Sequence, residues 1–135
     1  MIDIMAVIGL GQLRRLSKTN ARRREIQKRY NNAFYGCEWF KEPEFTYTVQ
    51  YYTPEFWDRD GLSEYLASKG IHTSVHFKPI SEFTYWKKAK KNPLPNTEVW
   101  KNLLSLPVHN ALTNKEQDYV IKTVKEYYTN MSDEQ

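Results

Sequence analysis

Cysteine, histidine and long apolar runs are all scarce in this 135-residue sequence. The single cysteine, Cys37, excludes both an internal disulfide and a metal cluster held by cysteines. No apolar run approaches the roughly 18 residues that a membrane-spanning helix needs. These absences predict a protein that does not span a membrane and that works in a reducing, cytoplasmic setting.

Histidine occurs only three times, as His72, His76 and His109. His72 and His76 lie four residues apart in a segment with the alternating pattern of a strand. That spacing puts them on one face, but too far apart to hold one metal ion well. Because no cysteine or carboxylate accompanies them in the sequence, we predict no metal-binding residues.

The residues that are abundant suit a small packed domain. Hydrophobic residues make up 40% and aromatic residues 15% of the chain, a composition that argues against a disordered polypeptide. Ten tyrosines and four tryptophans are many for this length, and they are typical of core packing and also of an interface. The length allows one domain with a modest core.

The first 35 residues are predicted to form one long helix. No proline interrupts them, and Gly36 follows at the position where a left-handed cap favours glycine. At 1.5 Å per residue such a helix is about 50 Å long, so a small domain cannot bury all of it. We therefore expect another surface to cover the segment Ile2–Leu10, or else residues 1–12 to be mobile. The apolar residues that carry the helical spacing are Ile4, Val7, Ile8, Leu13, Leu16, Ala21, Ile26, Tyr30 and Phe34.

Basic residues are concentrated on this helix. Eight lysines and arginines lie between Arg14 and Arg29, with Glu25 as the one acid among them. Such a run suits nucleic-acid binding, but no zinc-finger spacing, helix-turn-helix pattern or aromatic stacking motif accompanies it. Because neighbouring arginines point around a helix, we interpret the run as a solvated surface and predict no nucleic-acid partner.

Two strands are predicted after the long helix, at Thr46–Tyr52 and Ile71–Phe77. In the first, alternation separates Tyr47, Val49 and Tyr51 from polar neighbours and suggests that this face is buried. Between the strands, the run Asp58-Arg59-Asp60-Gly61 supplies turn chemistry and an acidic N-cap for a short helix, Leu62–Ser68.

The last helix is predicted to begin after Thr113, which forms a capping box with Glu116. Together these patterns predict an α/β fold, as a single α+β two-layer domain over residues 1–128. In it a small, mainly antiparallel sheet packs against the long N-terminal helix and the later helices. Residues 129–135 are expected to be a polar tail.

Three separated segments resemble one protein family, in the family's order. They are MAVIGLGQLRRLSKTNARRREIQKRYN, RDGLSEYLASKGIHTSVHFKPI and LLSLPVHNALTNKEQDYVI, and they span roughly residues 1–128. They resemble the small, C-terminal domain of the DegT/DnrJ/EryC1/StrS aminotransferases, which use pyridoxal phosphate to put amino groups on nucleotide-linked keto-sugars. The resemblance implies a fold like the C-terminal domain of the fold-type-I pyridoxal-phosphate transferases.

The resemblance also implies a substrate-binding segment. In the family a His-aromatic-x-Pro segment comes near the nucleotide sugar, and the run from His76 to Pro79 matches it. A second histidine often follows in the family, whereas Ser81 stands at that position here. The substrate-binding residues implied are therefore His76 and Phe77, with Ser81 as a weaker candidate.

Family members carry their catalytic groups mainly in a large domain. These are the lysine that forms the Schiff base, the aspartate that holds the pyridine nitrogen and the serines that bind the cofactor phosphate, and none of those patterns occurs here. The resemblance therefore implies no catalytic and no cofactor-binding residue in this chain. Pyridoxal phosphate, the family's cofactor, is not expected to bind the chain alone.

The expected function is that of the small domain of a nucleotide-sugar aminotransferase, inactive by itself. Two alternatives stay open. The chain can be half of a split aminotransferase completed by a lysine-bearing partner chain, or a non-catalytic binding or oligomerisation module that kept the fold. The expected partners are a second copy or a large-domain chain at Ile2–Leu10, and a nucleotide sugar only in a complete enzyme.

Overall fold

The computed structural model describes residues 3–43, 50–86 and 97–133. Helix α1 (Asp3–Phe34) is followed by strands β1 (Phe40–Lys41) and β2 (Glu55–Phe56), helix α2 (Arg59–Ser68), two 3₁₀ turns (Ile80–Glu82 and Thr97–Lys101) and helix α3 (Asn114–Asp133). β1 and β2 form a two-stranded antiparallel sheet. Three helices with a small antiparallel sheet confirm the predicted α/β fold.

α1 corresponds to the long helix predicted over residues 1–35, and its two halves have different surroundings. In the C-terminal half, Ile26, Tyr30 and Phe34 are fully buried. Gly36 follows the helix with a left-handed φ of 77°, as a glycine cap has, and the Cys37 N–H donates to the Phe34 carbonyl at 3.0 Å in the turn. In the N-terminal half the large apolar side chains are exposed: Ile4, Met5, Val7, Ile8, Leu10, Leu13 and Leu16.

The core lies where the C-terminal half of α1 meets α2, α3 and the extended segments. Its centre is a stack of aromatic rings, with Tyr30 5.3 Å from Tyr52 and Trp39 4.2 Å from Tyr128 between ring centroids. The buried apolar residues are Ile26, Tyr30, Phe34, Tyr52, Phe56, Leu62, Leu66, Ile71, Leu104, Leu106, Leu112, Val120, Val124 and Tyr128. Part of the aromatic excess in the sequence is thus core packing, while other aromatic rings, such as Trp57, Tyr85 and Tyr119, are exposed.

Two arginines of the basic run join α1 to α3. Arg22 donates to the Leu112 carbonyl at 2.7 Å, and Arg29 donates to Gln117 at 2.9 Å and pairs with Asp118 at 2.7 Å. Both guanidinium groups are partly buried. The interpretation of the run as a purely solvated surface is therefore wrong at these two positions.

The predicted helix caps are present. Asp58 is the N-cap of α2, which begins at Arg59 rather than at the predicted Leu62, and its carboxylate accepts from the Gly61 N–H at 3.4 Å. At the start of α3, the Thr113 N–H donates to Glu116 at 2.8 Å and the Glu116 N–H donates to the Thr113 hydroxyl at 3.2 Å. This reciprocal pair is the capping box read from the sequence.

The strand predictions need correction. Residues 46–49 of the first predicted strand lie outside the described residues; within the remainder, Tyr52 forms an isolated bridge with Leu106. Tyr52 is buried and Tyr51 is 40% exposed, which is opposite to the predicted face. Stacking on Tyr30 of α1 decides that orientation.

The second predicted strand, Ile71–Phe77, is not a strand. Only Ser74 pairs with a neighbour, through an isolated bridge to Ser105. Ile71 is buried, but its N–H turns back to the Leu66 carbonyl of α2 at 2.9 Å. Without a continuous partner the pleat is not maintained, and Phe77 is 73% exposed although its alternation with Ile71 suggested the same face.

Helix α3 continues to Asp133, through most of the segment 129–135 that was predicted to be a polar tail. Met131 lies one turn beyond Tyr128 on the same side of the helix and packs against the core. This contact keeps the segment helical despite its polar composition. Within the described residues, no helix combines the length and apolarity needed to cross a membrane.

Candidate functional site

The segment that carries His76 and Phe77 is fixed to the domain at Ser74. Ser74 and Ser105 exchange backbone hydrogen bonds of 3.3 and 2.8 Å. Ser105 lies between the buried residues Leu104 and Leu106, so it is held firmly by the core. The pairing brings the His76 ring to the edge of the core, two residues further along the chain.

His76 is half-buried and is hydrogen-bonded on one ring nitrogen. Its Nδ1 lies 2.9 Å from the Ser105 hydroxyl oxygen, which in turn lies 3.3 Å from the Thr53 hydroxyl oxygen. Ser105 is buried and Thr53 is half-buried. The Ser105 hydroxyl thus contacts the imidazole, and the Thr53 hydroxyl contacts that of Ser105.

Two aromatic rings flank the imidazole. The Tyr51 ring lies 4.3 Å from the His76 ring at 32°, and the Phe77 ring lies 4.9 Å away and is nearly perpendicular. Gln27 of α1 donates to the Tyr51 carbonyl at 3.2 Å, which ties this part of the site to the long helix. We call Tyr51, His76 and Phe77 the His76 cluster. Because Tyr51 and Phe77 are exposed, the cluster offers an open aromatic surface with one imidazole.

Ser81 lies in the 3₁₀ turn Ile80–Glu82 and is oriented differently from the His76 cluster. Its hydroxyl oxygen is buried and has no hydrogen-bond partner among the described residues. The hydroxyl is therefore not presented to solvent as the Phe77 ring is. The structure places His76 and Phe77 in contact, but it gives Ser81 no contact with either.

Next to this turn, two cations lie against one indole ring. The Lys78 ammonium and the Arg59 guanidinium each lie 5.7 Å from the Trp100 ring. Arg59 is buried, with 7% of its surface exposed, and its Nε lies 2.7 Å from an Asp60 oxygen. These contacts are cation–π packing that connects the start of α2 with the second 3₁₀ turn.

The described residues do not fit pyridoxal phosphate as a covalent ligand. A lysine that forms a Schiff base needs a site where desolvation or a neighbouring charge makes its amine reactive. Every lysine within residues 3–43, 50–86 and 97–133 is exposed, including Lys69 and Lys78. Over the same ranges, no group of three or more histidine, cysteine, aspartate or glutamate side chains is placed to hold a metal ion.

Sequence reasoning missed the residues that support His76. Ser105 and Thr53 carry no motif of their own, and Tyr51 was expected on a buried face. A usable signal existed for Ser105, which is the one polar residue inside the run Leu103–Val108. A polar residue that interrupts an apolar run is expected to have a specific hydrogen-bond partner.

Comparison with known proteins gives a consistent result. The model of the DegT/DnrJ/EryC1/StrS aminotransferase family matches residues 1–125. An uncharacterised protein of Methanocaldococcus jannaschii is 31% identical, over 93% of this chain and 36% of its own length. The UDP-4-amino-4,6-dideoxy-N-acetyl-beta-L-altrosamine transaminase of Campylobacter jejuni is 29% identical, over 90% of this chain and 35% of its own length.

Solved structures agree with these relatives. Spr1654 of Streptococcus pneumoniae, described as a sugar aminotransferase and solved in its PLP-form, is 31% identical with a TM-score of 0.77. The alignment covers 93% of this chain and 35% of that protein. The chain therefore spans about a third of the length of the proteins that it matches.

Proposed function

Because the chain belongs to the DegT/DnrJ/EryC1/StrS aminotransferase family, we propose that it supplies the small domain of a pyridoxal-phosphate-dependent nucleotide-sugar aminotransferase. In this role it binds part of the nucleotide sugar, and it does not hold the cofactor. The observation that carries the proposal is the His76 cluster, which lies in the segment that matches the family's substrate-binding pattern.

The chemistry of the cluster supports this role. Exposed aromatic rings can stack on a nucleobase or pack against the C–H face of a sugar, and an imidazole can donate or accept one hydrogen bond. We assign substrate binding to His76 and Phe77. Ser81 is a weaker candidate, because its buried hydroxyl reaches a ligand only if the 3₁₀ turn rearranges.

Amino transfer itself depends on the cofactor, which supplies the electron sink when it is bound. This chain would contribute by positioning: the His76 cluster holds the sugar nucleotide while another domain or chain holds the reacting carbon near the cofactor. We therefore propose that the chain is inactive alone. A lysine-bearing large domain, in the same polypeptide or in a separate one, would complete the enzyme.

The exposed half of α1 supports the need for such a partner. All its residues between Ile4 and Leu10 are apolar or glycine, and their side chains point around the helix rather than along one stripe. A helix that is apolar on all sides is normally enclosed by protein. We propose that a large domain or a second copy covers the segment Ile2–Leu10, of which Ile2 lies outside the described residues.

Spectroscopy and reconstitution test this proposal. The purified chain mixed with pyridoxal phosphate should show no stoichiometric visible band from a lysine-bound cofactor and no amino transfer to a nucleotide-linked keto-sugar. Addition of a lysine-bearing large-domain chain of this family should produce activity. A band that is abolished by changing one lysine of this chain would refute the proposal.

Matched variants then test the site within the reconstituted enzyme. His76→Ala and Phe77→Ala should raise KM for the nucleotide sugar about tenfold, roughly the loss of one good contact. His72→Ala is the control, since His72 is exposed in the same segment and touches none of the cluster rings. Equal KM values for all three variants would show that the His76 cluster does not bind the nucleotide sugar.

If reconstitution fails while α1 still associates with itself, a non-catalytic oligomerisation module becomes the better interpretation.

A further inference from the structure

We propose that Ser105, supported by Thr53, is a positioning residue that holds neutral His76 with its proton on Nε2. The imidazole then presents an N–H donor, rather than a lone pair, to the ligand. The ligand part of this inference rests on the proposed function, whereas the proton position depends only on the contacts of this chain.

The contacts form a short series of three groups. The Thr53 and Ser105 hydroxyl oxygens are 3.3 Å apart, and the Ser105 oxygen is 2.9 Å from His76 Nδ1. Among the described residues, neither the Thr53 hydroxyl nor His76 Nε2 has another hydrogen-bond partner. The positions of the protons must therefore be assigned from this series itself.

Three arrangements of protons fit the distances, and each leaves one of the three donors without a partner among the described residues. If Thr53 donates to Ser105 and Ser105 donates to Nδ1, the donor left over is Nε2–H, and Nε2 is not one of the buried unpaired atoms. If Nδ1–H donates to Ser105, the donor left over is the hydroxyl of Thr53, which is half-buried, or that of Ser105, which is buried. Because a donor at the surface can pair with water or a ligand whereas a buried donor cannot, the first arrangement is favoured.

Whether Nδ1 accepts or donates determines whether Nε2, the other ring nitrogen, is a donor or an acceptor. When Nδ1 accepts from Ser105, a neutral imidazole must carry its proton on Nε2. Nε2 then donates to an acceptor oxygen of the ligand, and a nucleotide sugar offers hydroxyl, carbonyl and phosphate oxygens. The opposite tautomer would instead select a ligand donor, so Ser105 decides which ligand groups His76 can recognise.

The position of Ser105 suits this role. It is buried between Leu104 and Leu106, and its backbone is paired with Ser74 two residues before His76. The Tyr51 ring, 4.3 Å from the imidazole and tilted by 32°, limits rotation of the ring that would exchange Nδ1 for a carbon. The tautomer is thus set by a rigid part of the fold rather than by the ligand.

Nuclear magnetic resonance of the full chain labelled with ¹⁵N tests the assignment directly. Long-range ¹H–¹⁵N spectra distinguish a protonated ring nitrogen from an unprotonated one, and the His76 signals are identified by their absence in His76→Gln. At alkaline pH, where an ordinary imidazole is neutral, wild-type His76 should show one tautomer, with Nε2 protonated and Nδ1 bare. A protonated Nδ1 in the wild-type chain would overturn the proposal without any variant.

Three substitutions separate positioning from general stability. Ser105→Ala should shift both His76 nitrogens towards the mixed values of the exposed His72, while Ser105→Thr should restore the wild-type values. Ser74→Ala is the matched control, because Ser74 lies on the same bridge and its side chain is exposed. His76 signals that are unchanged in a folded Ser105→Ala chain would refute the role of Ser105.

The same variants test the ligand part in the reconstituted enzyme. Ser105→Ala should raise KM for the nucleotide sugar about tenfold with kcat within twofold, as expected for loss of a binding contact. Ser105→Thr and Ser74→Ala should keep the wild-type KM. A wild-type KM in Ser105→Ala would refute the effect on recognition. A reconstituted mixture that is inactive in every form, while wild-type His76 keeps the Nε2 proton, would refute the proposed function and leave the tautomer assignment in place.

Discussion

Tyrosine hydroxyl groups provide much of the polar bonding inside this core. Tyr30 donates to the Pro107 carbonyl at 3.1 Å, Tyr128 donates to the Trp57 carbonyl, and Tyr127 donates to the Asp58 carboxylate. Burial raises the pKa of Tyr30, Tyr52 and Tyr128 well above that of a free tyrosine. Burial, together with the hydrogen bond to Asp58, raises the pKa of Tyr127 to about 12.

These shifts predict that stability falls at alkaline pH. An unfolded tyrosine loses its proton near pH 10, whereas the folded chain keeps these protons to a higher pH. The folded state then binds more protons, so the free energy of unfolding decreases as the pH rises. For Tyr127 the contribution is complete below about pH 10 and is lost as the pH passes about 12.

Urea unfolding at about pH 8 and about pH 11 measures this decline. Tyr127→Phe removes one of the shifted groups and should make the decline smaller, while Tyr85→Phe, on an exposed ring, serves as the control. Equal free energies of unfolding at the two pH values would contradict the prediction.

Gly61 is predicted to be intolerant of a side chain. A Cβ at this position would overlap the Asp58 carboxylate and the Tyr127 hydroxyl, which meet directly above it. Gly61→Ala should therefore lower the free energy of unfolding by about 1–3 kcal/mol, the usual cost of overpacking. Thermal unfolding checks this value. Gly9→Ala is the control, because nothing lies within 4 Å of its added Cβ, and it should leave stability unchanged or slightly higher.

At the scale of elements, a buried glutamine joins α1 to α3. Gln117 is fully buried, donates to the Ile26 carbonyl at 2.7 Å and accepts from Arg29 at 2.9 Å. Val120 and Val124 are the apolar residues buried on this face of α3, and Gln117 and Thr123 are buried beside them. The polar members of this face are buried because α1 supplies partners for them.

Loss of the Gln117 hydrogen bonds between α1 and α3 should measurably lower the free energy of unfolding. Gln117→Ala removes two hydrogen bonds and leaves a cavity, so we expect the free energy of unfolding to fall by about 2–3 kcal/mol. Asp118→Ala removes the exposed partner of the same Arg29 and should cost less than about 1 kcal/mol. Urea unfolding of both variants measures the two free energies of unfolding. An equal decrease in both would show that the buried Gln117 hydrogen bonds do not dominate the contact between α1 and α3.

At the scale of the whole molecule, the exposed half of α1 is the surface through which we predict association. Its apolar side chains exceed what a single domain of this size covers, and a patch of several hundred Å² is typical of an interaction surface. We predict that the chain associates with itself in solution when no large-domain partner is present. Sedimentation over a range of concentrations should show species heavier than the monomer.

Charge substitutions on this half should produce a folded monomer. Ile4→Glu with Val7→Glu places two charges on side chains that are 70% and 72% exposed, far from the core. The free energy of unfolding should change little while the heavier species disappear. Lys18→Glu, an exposed change on the same helix, should not have this effect. A monodisperse wild-type monomer would contradict the prediction.

Some features of this protein were determined by local sequence alone. The long helix, its glycine cap at Gly36, the Asp58 cap and the Thr113–Glu116 capping box follow from spacing and from short-range hydrogen bonds. The family is likewise readable from motifs in the sequence. Such features depend on residues within one or two turns of each other, so the sequence contains all that is needed to predict them.

Other features were decided only by the tertiary structure. The alternation over Ile71–Phe77 predicts a strand, yet only Ser74 finds a partner, and no ladder forms there. His76 could be named as a binding residue, but its contact with Ser105, 29 residues later, could not. Strand pairing and hydroxyl networks join residues that are distant in the chain, so they depend on how the helices pack the core and not on any local pattern.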